Sequence, residues 1–152
     1  VGLIGECGWH RTYPFPDYFT GESCNELADD FEKVMDMQIP SSAVSAYFLV
    51  TWATDVLKRA TNPEDKESVA EAIRTTKIMT ASGPVDFTSP VDPNPVDPGS
   101  HHPAINCTKP PFCGAQWVKG TGKWDFENVI CSAATAPDVP VGGTVQPMVY
   151  SS

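Results

Sequence analysis

Five cysteines, at positions 7, 24, 107, 113 and 131, and three histidines, at 10, 101 and 102, carry most of the reactive side chains of this 152-residue chain. Their spacing suits thiol pairing at least as well as metal binding. The run CTKPPFC, from Cys107 to Cys113, can close a short disulfide loop, and Cys7 with Cys24 can brace the polar segment between them. An odd count leaves at least one thiol free or paired outside the chain. Cys131, in the apolar run Val129, Ile130, Cys131, also reads as a small buried apolar residue. His101 and His102 with Cys107 and Cys113, or His10 with Cys7 and Cys24, hold the atom types that zinc accepts. Neither set contains a C-x-x-C or an H-x-x-x-H on a helix. Asp86, Asp92 and Asp97 lack the D-x-D-x-D-G spacing of a calcium loop. Asn106, Cys107 and Thr108 form a glycosylation triplet. The cysteine usage favours an oxidising, extracytoplasmic setting.

Nucleophilic catalysis finds no matching pattern. A G-x-S-x-G, a P-loop and a G-x-G-x-x-G after a strand are all missing, and the histidines stand in loops without a base and nucleophile at working spacing. The expectation is a protein that is not an enzyme and needs no cofactor. What the sequence does offer is a loop for binding: CGWHRTYPFPDYFTGES crowds Trp9, Tyr13, Phe15, Tyr18 and Phe19 among glycines and prolines. Large flat side chains on an irregular segment line ligand clefts well, because little entropy is lost in fixing them. The alternative is a loop packed over its own core.

Regular elements must hold that loop. VGLIGE reads as the end of a buried strand. Ser23 and Glu26 have capping-box spacing, and Leu27, Phe31, Val34 and Met35 form one apolar stripe of a first helix whose other positions are acidic. A second helix, capped by Ser41 or Ser42, runs through AVSAYFLVTWATDVLKRA and is apolar on most sides, which predicts burial. Asn62 and Pro63 cap a third helix packed through Val69, Ala70 and Ile73 and ending near Thr76. GPVDF reads as a short strand, and GAQWVKG with GKWDFENVIC reads as a hairpin around GTG.

Composition bounds the rest. One domain is the natural size for this length. The net charge of −9 excludes a general nucleic-acid binder and a polybasic membrane-surface protein, since both need an extended positive face. No apolar run approaches the roughly 20 residues of a membrane span. The 15 prolines and 11 glycines rule out a chain filled with regular helix. Many of the prolines fall in SPVDPNPVDPGSHHPAINCTKPP, where extended backbone is expected. The first residue is Val1, with no leader before it, so a processed chain or a fragment is expected.

Taken in order, these pieces resemble the C-terminal part of the solute-binding proteins of ABC importers. The nearest likeness is to the leucine/isoleucine/valine-binding family of type I periplasmic binding proteins. It rests on TGES-x-x-ELADDFEK, SAYFLVTWATDVLKRA, VAEAIRTTKIMTASGPVDF, GAQWVKGTGKWDFENVI and APDVPVGGTVQPM in collinear order. The resemblance implies an α/β fold, namely the C-terminal portion of a two-lobe protein with a Pro-rich irregular insertion. Residues 1–41 then end the second lobe with a cleft-lining aromatic loop and an acidic helix, and 42–88 supply first-lobe helices and a short strand. Residues 89–113 are the insertion, and 114–152 form a hairpin and a tail crossing back to the second lobe. The remainder of the same protein is the missing partner. The resemblance further implies a small-molecule ligand, an amino acid or another small carboxylate, held between lobes whose closure is read by a membrane permease. In that frame Glu6 pairs with a ligand ammonium, Trp9 and His10 stack over an apolar or aromatic portion, and Tyr47 donates to a carboxylate. The same scaffold also serves ligand-sensing regulators and receptors, and a small secreted metal-binding protein is a third reading.

Overall fold

In the computed structural model, residues 2–91 and 104–149 are described, and they make a mixed α/β arrangement of three helices and two small antiparallel sheets. The first sheet has the order β1-β4-β5, built from β1 (Ile4–Cys7), β4 (Cys113–Lys119) and β5 (Phe126–Ser132). The expected hairpin is β4 and β5, joined through Gly120 to Asp125. The backbone of Trp124 lies so close to Gly120 that no Cβ fits there, which explains the glycine in this turn. β1 is an edge strand. It is exposed along most of its length and buried only at Cys7, so the expectation of a buried strand is corrected to a half-paired edge.

The first helix, α1 (Cys24–Met35), starts where the capping box predicts. The Ser23 hydroxyl accepts from the Glu26 N–H, and the Glu26 carboxylate accepts from the Ser23 N–H at 2.9 Å. Its packed side is centred on Cys24 and Ala28, with Leu27 against the core, while Val34 and Met35 run out into solvent. Asp36 ends the helix in the left-handed region at φ 51°.

The second helix, α2 (Ser41–Arg59), begins one position earlier than a Ser41 cap implies: Pro40 occupies the cap, and no side chain bonds the first turn. Burial is also less than its composition predicts. Val44, Thr51, Asp55 and Val56 are buried, whereas Leu49, Val50 and Leu57 are exposed. At its inner end Arg59 reaches the buried Asp55 carboxylate at 2.7 Å and donates to the Thr75 and Thr76 hydroxyls, fastening α2 to the end of α3 (Lys66–Arg74). The cap of α3 is Asp65, which accepts from Glu67 and Ser68; Asn62 instead makes the turn before it, accepting from Glu64 N–H.

The second sheet is the hairpin of β2 (Lys77–Thr80) and β3 (Gly83–Asp86). β3 is the strand expected from GPVDF, whereas β2 follows α3 with no Gly or Pro to announce it. Gly83 adopts φ 104°, and the Pro111 ring lies where its Cβ would be, so only glycine serves there. One core cluster unites the first sheet, the aromatic loop, α1, the start of α2 and the tail through residues such as Tyr13, Phe15, Cys24, Val44, Ile130 and Val139.

All five cysteines are thiols. The expected pairings, Cys107 with Cys113 and Cys7 with Cys24, are not formed. Strand register instead puts Cys7 opposite Cys113, while Cys107 is exposed. Among the described residues no three His, Cys, Asp or Glu side chains gather to hold a metal, so the set Cys7, His10 and Cys24 is not assembled. His101, His102, Asp92 and Asp97, with most of the Pro-rich insertion, lie outside the described residues. Among the described residues no helix is long and apolar enough to cross a membrane.

Candidate functional site

A cleft of about 960 Å³ opens beside the end of β1. The strand delivers Glu6 to its edge, the loop from Gly8 to Thr12 forms one wall, and the link from α1 to α2 forms another. The β4–β5 hairpin completes it with Trp117, Trp124, Glu127 and Asn128.

The wall from Gly8 to Thr12 is held from beneath. The Tyr13 hydroxyl lies between the carbonyls of Cys7 (2.9 Å) and Pro111 (3.0 Å), and its ring meets Phe15 edge to face. Burial and the neighbouring Cys113 thiol hold this phenol strongly protonated. A tight turn follows, with the Tyr13 N–H donating to the His10 carbonyl.

Of the four residues expected to bind, three meet here. Glu6 is exposed at the cleft edge and makes no salt bridge among the described residues. Trp9 lines the cleft but is buried in the core cluster, and its Nε1–H donates to the Ala81 carbonyl at 3.1 Å. His10 is fully engaged in the loop. Its Nε2 faces the Asn128 carbonyl at 2.9 Å, and a carbonyl only accepts, so the proton sits on Nε2. Nδ1 then accepts from the Thr12 hydroxyl and N–H. Burial lowers the His10 pKa, opposed by the bond to Asn128, and this agrees with a neutral ring. His10 therefore staples the loop to β5 and has no free nitrogen for a ligand.

Tyr47 is elsewhere. It stands beside Asp17 and Thr20, where burial and the Asp17 charge raise its pKa, next to an open acidic depression formed by Thr20, Gly21, Glu22, Glu26, Asp29 and Asp30. The placement follows from α2: Tyr47 leaves the helix on the side of Thr51, whose hydroxyl donates to Asp17 at 3.2 Å.

The cleft adds residues that the sequence did not mark. Glu32 joins two of its walls, accepting from Trp124 Nε1–H at 3.3 Å and facing the Arg11 guanidinium at 3.6 Å. Arg11 is tied more closely to Asp29 at 2.6 Å. Lys123 pairs with Asp36 at 2.6 Å and rests 4.4 Å from the centre of the Trp124 ring, so this indole already receives an ammonium on its face. Two buried atoms on the cleft lining have no hydrogen-bond partner among the described residues: the donor Arg11 Nε and the acceptor Asn128 Oδ1. Such atoms are uncommon in folded proteins, because each carries an uncompensated desolvation cost. The lining charges are Glu6, Glu32, Asp36 and Glu127 against Arg11, which makes the cleft electronegative. Aromatic faces, an acidic edge and an unpaired donor and acceptor equip it to bind a small organic molecule.

No protein-family model, curated protein or solved structure matches this chain.

Proposed function

We propose that the chain is the C-terminal part of an extracytoplasmic solute-binding component of an ABC importer, built on the two-lobe type I periplasmic-binding-protein plan. The cleft is its share of the ligand site, and the remainder of the protein supplies the facing wall. The ligand is a small organic molecule of the amino-acid or aromatic-carboxylate class. It is bound without chemical change, and lobe closure presents it to the membrane permease.

The observation that carries this reading is the pair of unpartnered buried atoms, Arg11 Nε and Asn128 Oδ1, on a cleft walled by Trp9, Trp117 and Trp124. A ligand carrying both an acceptor and a donor satisfies the two atoms and recovers their desolvation cost. Its flat portion stacks on Trp117 and Trp124, and an ammonium group is drawn to Glu6 and Glu127. Trp9 and His10 shape the site from behind, and Tyr47 takes no part.

Calorimetric titration of the intact protein with a panel of amino acids and aromatic carboxylates tests the reading. Saturable binding of a panel member, weakened at least about fivefold by Glu6→Gln or Trp124→Ala, supports it. Absence of saturable binding across the panel, or unchanged affinity in both variants, rejects it.

A further inference from the structure

The structure assigns Cys7 and Cys113 to a cross-strand redox pair, two thiols that join as a disulfide when the chain folds in an oxidising thiol buffer. They are direct register partners in the antiparallel pairing of β1 with β4. Opposed residues in such a ladder have Cα atoms about 4.5–5.5 Å apart, inside the roughly 4.4–6.8 Å that disulfides span. Opposed side chains also leave the sheet on the same face, and here both are buried, at 4% and 5% exposure. Their Cβ atoms, about 4.5–5.5 Å apart in an ordinary rung, need to close by about 1 Å to reach disulfide geometry. The register shift between Gly114 and Ala115 on the other edge of β4 lies one residue away and loosens the ladder at this point.

The Cys7 Sγ donates to the Trp9 carbonyl at 3.1 Å, as other thiols here do to carbonyls, but no other cysteine has a cysteine as its register partner. The Cys24 Sγ is turned to the carbonyls of Phe15 (3.3 Å) and Ala81 (3.2 Å). The Cys131 Sγ rests on Val129 O within its own strand, and Cys107 is exposed on irregular backbone outside the sheet. Tyr13 spans the rung, with its hydroxyl on the Cys7 carbonyl and 3.7 Å from the Cys113 Sγ.

The chemistry is a two-electron exchange with a small disulfide such as oxidised glutathione. One cysteine thiolate attacks a glutathione sulfur, breaking that S–S bond and expelling one glutathione thiolate. The second cysteine thiolate attacks the mixed disulfide, forming the Cys7–Cys113 bond and expelling the second glutathione. The protein loses two protons and two electrons, and the oxidant leaves as two thiols. Burial raises the Cys7 pKa, against the bond to the Trp9 carbonyl, and the neighbouring Cys113 adds to it, so exchange belongs to folding, before the strand closes over the pair. The bond fastens the end of β1, and with it Glu6 and the Gly8 to Thr12 wall, onto β4. This pairing is independent of the ligand reading above.

The experiment refolds the reduced chain from denaturant in a mixture of reduced and oxidised glutathione, alkylates remaining thiols and maps the peptides by mass spectrometry. The expected product links the Cys7 and Cys113 peptides with loss of two hydrogens, leaving Cys24, Cys107 and Cys131 alkylated. Its melting temperature lies on the order of 10 °C above that of the reduced chain. Cys7→Ser and Cys113→Ser each abolish the link, and where a serine variant does not fold, the map of the unaltered chain decides. Alkylation of both Cys7 and Cys113, or linkage of either to a different cysteine, overturns the assignment.

Discussion

The Gln116 carboxamide grips the Gln146 backbone from both sides: its Oε1 accepts from the Gln146 N–H at 2.8 Å and its Nε2 donates to the Gln146 carbonyl at 2.7 Å. The same Nε2 donates to the Gly2 carbonyl at 2.9 Å. One fully buried side chain of β4 thus holds both ends of the described chain, and it does so with every polar atom used. Gln116→Leu keeps the volume and removes all three bonds. The expected cost is about 2–3 kcal/mol, because the Gly2 and Gln146 groups lose partners at a partly buried site. Urea unfolding reads the loss, and hydrogen exchange at the Gln146 amide reads its place: protection there should fall while that of β5 persists. Equal protection at Gln146 in both proteins would refute the clamp.

Asp17 plays the matching role under α2. Its carboxylate accepts from the N–H groups of Phe19 and Thr20 at 2.9 Å each, from the Thr20 hydroxyl at 3.0 Å and from the Thr51 hydroxyl at 3.2 Å. Burial pushes its pKa up, but these four donors together outweigh burial and leave it lowered. A carboxylate with a lowered folded pKa contributes stability that is complete above its unfolded value, near 3.8, and is lost as pH falls through the folded value. Asp17→Asn should cost about 1–3 kcal/mol at neutral pH and flatten the acid limb of the stability profile. An acid limb unchanged by the substitution would show that Asp17 is not its source.

His10 shifts in the opposite electrostatic sense with the same dependence on pH. Its folded pKa is lowered from 6.5, so the unfolded chain binds more protons between the two values and stability rises with pH across that window. The contribution is present above about pH 6.5 and is lost as pH falls through the folded pKa. Protonation also turns Nδ1 from acceptor into donor, which breaks its bond with the Thr12 N–H and forces the Thr12 hydroxyl to turn from donor to acceptor. His10→Gln should therefore reduce the slope of melting temperature between pH 7.5 and 5.5 relative to the unaltered chain. A slope identical in both would mean that the remaining histidines carry it.

Local rules were legible in the residues, and long-range ones were not. The Ser23 and Glu26 capping box and the hairpin around Gly120 are each decided within a few residues, and both stand where the pattern puts them. β2 was missed because KIMT follows directly on α3 and gains its strand identity only from pairing with Gly83–Asp86. The apolar run of α2 predicted burial, yet Leu49, Val50 and Leu57 face outward, since composition names a helix's apolar sides but not what covers them. The site divides in the same way. Glu6, Trp9 and His10 were legible because one continuous segment, the end of β1 and the loop after it, carries them. Trp117, Trp124 and Asn128 come into range only through the register of β4 with β5, where Trp117 faces Asn128. Tyr47 lies one helical turn from Thr51, and that contact commits it to the Asp17 side.

The three tryptophans of the cleft should separate into one that holds the fold and two that hold ligand. Trp9 is 7% exposed, sits in the core cluster and donates to Ala81 O, a carbonyl it shares with the Cys24 thiol. Trp9→Ala removes a large buried side chain and should cost about 3–5 kcal/mol, enough to unfold a marginal domain. Any loss of binding in that variant reports on folding. Trp117 is 39% exposed on β4, and Trp124 is half-buried, held through Glu32 and covered on one face by Lys123. Alanine at either position takes away cleft wall rather than core, so it should cost about 1 kcal/mol or less in stability. In ligand titration the same substitutions should weaken binding by about five- to tenfold each, the size expected for one lost stacking face. Circular dichroism melting and calorimetry on the three variants distinguish these roles. Full ligand affinity in Trp117→Ala and Trp124→Ala together would place the ligand outside this cleft. A melting temperature of Trp9→Ala equal to that of the unaltered chain would return Trp9 to the ligand-binding wall.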